Sequence, residues 1–297
     1  MAPISRRSVV QGAAALGFGF VLRPAFRAAG RGRATRFLAE IGICASLADA
    51  ASIRAAGGDY IEEGVRRFLV PDGTDAQFEV QLAELEKIPL PVPSCNSFLP
   101  GTLKAVGPGA DHAGIFAYAG TAFRRAARAG VRLIVWGSGE SRRIPEGFPK
   151  ARAEEQFRDL AARVARLAGV ANIMLVIEPL NPGETNFINS LREGAEIVEA
   201  VGSSSLRLLA DIYHMLRSNE TPADIERSGA LLRHCHIAEK DKRTPPGTAG
   251  EDFRPFLRAL RKTGYPGRMS LECGWEDMAR QAPGAVAALR RQIEESA

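Results

Sequence analysis

The chain has 297 residues, of which 45% are hydrophobic, with 39 basic and 34 acidic side chains. That is enough apolar material to bury one large core or two ordinary ones. No apolar run reaches the ~20 residues needed to cross a bilayer, and the four cysteines (Cys44, Cys95, Cys235 and Cys273) stand far apart in apolar runs with no C-x-x-C, which points to buried free thiols.

The first thirty residues have a basic start, a short apolar stretch and small residues near the end, the layout of a secretory signal. "SRRSVVQ" resembles a twin-arginine export signal with Arg6 and Arg7 as the pair, although Val9, Val10 and Gln11 stand where Phe, Leu and Lys are usual. An ordinary secretory signal or an uncleaved anchor is the competing reading. We take residues 1–33 as a twin-arginine-like signal segment and 34–297 as a single catalytic domain, exported to the periplasm, with no stable membrane insertion after processing. The first thirty residues carry four arginines and no acid, so without them 35 basic residues face 34 acidic ones, a formal charge of +1 in place of +5. A near-neutral mature chain gives no ground for a nucleic-acid partner.

Beyond it, strand-like and helix-like segments alternate. Short, mostly apolar runs fall at 37–44, 58–64, 90–98, 131–137, 173–178, 206–211, 231–238 and 268–273, as expected of parallel strands covered on both faces. After the second run, "TDAQFEVQLAELEKI" carries Phe78, Val80, Leu82, Leu85 and Ile88 near helical spacing, with Thr74 or Asp75 as cap. "HAGIFAYAGTAFRRAARAG" stops at Gly130, and "ARAEEQFRDLAARVARLAG" has its stripe at Phe157, Leu160, Val164 and Leu167. Four more helical patterns complete the alternation. Eight strands, each followed by a helix, predict a (β/α)8 TIM barrel. A doubly wound sheet would usually carry a Gly-rich loop after its first strand, and "GICASLADA" supplies none.

In a barrel, residues at the C-terminal strand ends face the active site. "IMLVIE" ends in Glu178 just before Pro179, where ladder pairing stops. Asp211 ends "LRLLAD", His236 lies in "RHCHIAE" and Glu272 ends "MSLE". Four successive strands thus aim three carboxylates and an imidazole at one place. Carboxylates that close repel unless neutralised, and this donor set suits Mn²⁺, Mg²⁺ or Co²⁺. A cation chelated by a carbonyl and its neighbouring hydroxyl would stabilise an enediolate, so that a carboxylate could remove the adjacent carbon-bound proton. One base permits aldose–ketose isomerisation; a second carboxylate on the opposite face permits epimerisation.

"IEPLNPGET", "DIYHM", "HIAEKDKRTPPG" and "SLECGW" together resemble the xylose-isomerase-like barrels, in the sugar isomerase/epimerase branch that includes the ketose 3-epimerases. The resemblance covers roughly residues 36 to 295. It implies that Glu178, Asp211, His236 and Glu272 bind one divalent metal, that Glu178 and Glu272 are also the catalytic acid and base, and that Glu184 and His214 hold substrate oxygens. The family has an Arg six residues after the metal His. Here Lys242 stands there with Arg243 next, and either could be the substrate-binding cation. The implied partner is a sugar or sugar derivative, with a homo-oligomer possible.

Other polar residues have plainer readings. His234 shares a strand face with His236 one layer deeper, as core filling or support. His112 opens a helix as a solvated residue, Trp136 either walls a sugar pocket or packs in the core, and one of Glu62 and Glu63 could touch substrate. Three rival functions use the same platform: a lyase on 3-keto-glycosides, an endonuclease IV-type repair enzyme, which would need more His ligands than this chain's four residues provide, and a sugar binder without turnover.

Overall fold

The computed structural model describes residues 37–38 and 40–297, so the predicted signal segment lies outside the described residues. Eight strands run in order: β1 (Ile41–Cys44), β2 (Tyr60–Gly64), β3 (Ser94–Asn96), β4 (Leu133–Trp136), β5 (Met174–Ile177), β6 (Leu206–Asp211), β7 (Leu232–Ile237) and β8 (Arg268–Leu271). Each falls inside one of the predicted runs. All neighbours pair in parallel and β8 pairs back to β1, closing a (β/α)8 barrel.

Local chemistry sets the helix ends. Thr74 accepts from Gln77 N–H and forms a capping box with that residue at the start of the Asp75–Leu85 helix. Gly130 ends the His112–Ala129 helix in the left-handed region, at φ 82°. In the Lys150–Val170 helix the predicted stripe is the buried face: Phe157, Leu160 and Val164 are fully buried and Leu167 packs partly against them. The Asp75–Leu85 helix departs from its predicted stripe. Phe78 is fully buried, but Val80 is 58% exposed. Two residues on from Phe78 is about 200° round the helix, so both cannot face the barrel.

The barrel interior is chemically divided. On β4, β5 and β6 it is apolar, with Val135, Val176 and Leu209 packed against Leu133 and Met174. On β2, β3, β7 and β8 it is polar: Tyr60, Glu62, Ser94, His234, His236 and Ser270 are all buried. Gly42 on β1 leaves the space that the Tyr60 ring fills, since a Cβ there would overlap the ring. Trp136 points the other way, between Phe98 (centroids 5.8 Å) and Phe157 (4.9 Å), and belongs to the core between barrel and helices.

Candidate metal and catalytic centre

The strand ends bring Glu178, Asp211, His236 and Glu272 together, each offering a ligand atom within 4.8 Å of the others. Glu178 immediately follows β5, Asp211 closes β6, His236 sits near the end of β7 and Glu272 follows β8. Alternation along each strand turns these side chains inward at one level.

His236 orients the cluster. Its Nδ1 lies 3.0 Å from Glu178 Oε1 and 3.2 Å from Glu272 Oε2, while its Nε2 lies 2.8 Å from Glu62 Oε1. Asp211 Oδ1 accepts the N–H groups of Tyr213 (2.8 Å) and His214 (3.3 Å), capping the Ile212–Arg217 helix and leaving Oδ2 toward the centre. Asn96 donates to Glu272 Oε1 at 3.0 Å. Gly137 makes room for Glu178, because a Cβ there would collide with Glu178 Oε2.

The electrostatics follow from crowding. Burial and the Glu272 charge push the Glu178 carboxyl above its ordinary range. Burial acts in the same direction on Glu272, but His236 and Arg243 outweigh it and hold that carboxyl down at about 2. Burial would lower the His236 imidazole, yet Glu62 and Glu272 carry it well above its usual value.

Of the two cations weighed for the substrate side, Arg243 faces the cluster. Its Nη2 pairs with Glu272 Oε2 and lies 3.2 Å from Asp211 Oδ2, its Nη1 lies 3.8 Å from Glu184 Oε1, and the guanidinium stacks 4.7 Å over the Tyr213 ring. Lys242 is exposed. Both residues have left-handed backbone, φ 50° and 57°, a costly conformation for non-glycine residues. Glu239 holds the loop in place: its buried carboxylate accepts the N–H groups of Gly247 (2.8 Å), Ala249 (2.5 Å), Gly250 (3.0 Å) and Glu251 (3.3 Å), and the Thr244 hydroxyl (2.9 Å).

His214 is buried, with Nδ1 accepting from Asn181 N–H (3.2 Å). Its proton therefore sits on Nε2, which is buried 3.5 Å from Asp211 Oδ2 without a hydrogen-bond partner. Glu184 is held by the Asn181 side-chain amide at 3.1 Å. Beneath Glu178, the guanidinium of Arg142 is fully buried and donates to the backbone carbonyls of Glu178 (2.8 Å), Phe187 (3.1 Å), Trp136 (3.2 Å), Ile188 (3.4 Å) and Gly137.

Sequence reasoning left Glu62 undecided against Glu63. The strand separates them: Glu62 points into the barrel, while Glu63 points out, accepting from Leu47 N–H (2.8 Å) and pairing with Arg67. Tyr60 and Gly64, two residues to either side, share the interior side with Glu62. His112 is half-buried, bonding the Ala105 carbonyl at 2.9 Å, and so is less solvated than predicted. Beside Glu272 opens a cleft of about 740 Å³, bordered by Cys44, Glu62 and Asn96, with Arg66 and Trp275 also lining it.

Fold and centre together define a TIM barrel with a carboxylate–histidine cluster at its C-terminal rim. The chain belongs to the xylose isomerase-like TIM barrel family, whose model matches residues 50–294. It is similar to the D-psicose 3-epimerase of Enterocloster bolteae, 30% identical over 124 residues (41% of this chain, 40% of that protein), and to that of Agrobacterium fabrum, 32% identical over 110 residues (37% and 38%). In such alignments the chain spans about two-fifths of the length of the curated relatives it matches. The fold is shared with the D-psicose 3-epimerase of Clostridium cellulolyticum H10 crystallised with D-tagatose, at TM-score 0.76 and 19% identity, over 86% of this chain and 99% of that one. It is also shared with the 3-keto-D-glucoside 4-epimerase of E. coli, at TM-score 0.72 and 18% identity, over 85% and 99%.

Proposed function

We propose that the protein is a divalent-metal-dependent sugar epimerase or isomerase that moves a proton next to a carbonyl. The observation carrying this reading is the convergence of Glu178 and Glu272 with Asp211 and His236 at the barrel rim. The donor set fits a metal: three carboxylate oxygens and one imidazole nitrogen suit Mn²⁺, Mg²⁺ or Co²⁺, and that much negative charge calls for a cation. A divalent ion held by Glu178, Asp211, His236 and Glu272 would supply Lewis-acid polarisation of a substrate carbonyl.

The chain's own residues do the rest. One of Glu178 and Glu272 takes the carbon-bound proton α to the carbonyl. If the other returns a proton to the opposite face, the carbon is epimerised; if the same group returns it to the neighbouring carbon, the sugar is isomerised. His214 offers its unpartnered Nε2–H to a substrate oxygen, and Arg243 and Glu184 hold others. Wild-type protein loaded with Mn²⁺ is expected to interconvert members of a ketose panel and to wash solvent deuterium into the product, with both Glu178→Gln and Glu272→Gln inactive.

A lyase acting on 3-keto-glycosides is the second reading, favoured by a cleft of about 740 Å³ that runs from Glu272 to Trp275 and Met278. Release of aglycone from a 3-keto-glucoside without ketose turnover would select it. We also propose export by the twin-arginine route, tested by replacing Arg6 and Arg7 with Lys and assaying the periplasmic fraction.

A further inference from the structure

We propose that Glu62 is a positioning residue that fixes the tautomer of His236, so that Nδ1, and not Nε2, is the nitrogen offered to the metal. This rests on the metal reading of the site given above. Glu62 is fully buried on β2, across the barrel from β7. Four side chains surround its carboxylate: His236 Nε2 at 2.8 Å on Oε1, and His234 Nε2 at 2.5 Å, Ser270 Oγ at 2.7 Å and Ser94 Oγ at 2.9 Å on Oε2. Oε2 takes three of these bonds and Oε1 one, so four donors hold the carboxylate in place within one imidazole of the cluster.

The direction of each bond supports this. Tyr60 Oη lies 2.8 Å from Ser270 Oγ. With the serine proton given to Glu62, the tyrosine must donate to the serine. Every hydrogen in the group then points at a single acceptor. His236 Nε2 faces Glu62, and Nδ1 is the nitrogen that faces Glu178 and Glu272, so it is the one a metal held by those carboxylates would take. A metal-bound histidine commonly donates its other N–H to a carboxylate, and loss of such a partner costs about 10–100-fold in metal affinity. His234 is thereby a supporting donor and not a ligand.

Two measurements test the assignment. In wild-type protein loaded with diamagnetic Mg²⁺ and labelled with ¹⁵N-histidine, long-range ¹H–¹⁵N correlation should show His236 protonated at Nε2 alone. A proton on Nδ1 would overturn the proposal, whatever reaction the enzyme catalyses. In titration calorimetry with MnCl₂, Glu62→Gln should bind about 10–100-fold more weakly than wild type, with a mixed or reversed His236 tautomer. Wild-type affinity in a folded Glu62→Gln protein would overturn the proposal even if the sugar chemistry is right. Should Glu62→Gln fail to fold, the wild-type spectrum still decides. Wild type that binds neither Mn²⁺ nor Mg²⁺ would overturn the metal reading on which the proposal rests, a result distinct from a proton on Nδ1 in the loaded protein.

Discussion

Arg142 gives a quantitative test of how the β5 rim is held. Its guanidinium is fully buried with no ion pair among the described residues, and burial pulls its pKa down to about 10 despite the pull of nearby carboxylates. Backbone carbonyls serve as its counter-charge. Two of the five have a second partner: Trp136 O accepts Glu178 N–H, and Ile188 O accepts Leu180 N–H. Arg142→Met therefore strands three acceptors, on Gly137, Glu178 and Phe187. At about 1–3 kcal/mol for each buried unsatisfied group, the loss is about 3–9 kcal/mol. Relief from desolvating an unpaired cation offsets several kcal/mol of it, so a net loss of about 3 kcal/mol is expected. Urea denaturation should show this as a lower midpoint at unchanged slope. Arg142→Lys keeps the charge but not the planar fork, and should fall between the two. A Met variant within about 0.5 kcal/mol of wild type would refute the reasoning.

Gly137→Ala should leave stability nearly intact, because the added methyl overlaps only the end of the Glu178 side chain and meets Leu180 at an ordinary contact distance. It should turn that carboxylate out of the cluster and weaken Mn²⁺ binding by about tenfold or more in calorimetry; unchanged affinity would show that Glu178 does not need its present rotamer. Gly42→Ala should lower the melting temperature through an overpacking cost of about 1–3 kcal/mol against the Tyr60 ring, partly recovered by adding Tyr60→Leu. Glu220, which accepts Leu191 N–H at 2.8 Å, has its carboxyl pushed up to about 7 by burial, with Asp224 and Glu193 adding to the shift. The folded state thus holds this proton more tightly than the unfolded chain. Glu220 stabilises most fully below its unfolded pKa of about 4.3, and that contribution is lost as pH rises through about 7. Glu220→Gln should flatten this fall, by about 1 kcal/mol after solvent screening, in melts taken from pH 5 to pH 8.

The barrel was legible because its strands are short apolar runs with polar residues at matching ends. Parallel pairing brings those ends to one rim, so Glu178, Asp211, His236 and Glu272 could be grouped before any coordinates. What was not legible depends on direction or on backbone. Choosing Glu62 over Glu63 needs the phase of β2, which two adjacent glutamates do not reveal. Choosing Arg243 over Lys242 needs two consecutive left-handed residues, a conformation side-chain type does not announce. Arg142 sits in a polar loop stretch, "SGESRR", and nothing there shows that this arginine is buried and its neighbour Arg143 is not. Val80 is apolar but lies about 200° round the helix from Phe78, so apolarity alone does not put it on the buried face.

The hydroxyl chain from Tyr60 through Ser270 converges on Glu62, and the imidazoles of His234 and His236 converge on it from the other side. Both arms end on the same carboxylate, and His236 links it onward to Glu178 and Glu272. The cleft beside Glu272 is the open approach to this group, and the solvent isotope found in a product would report how far a bound molecule seals it during turnover.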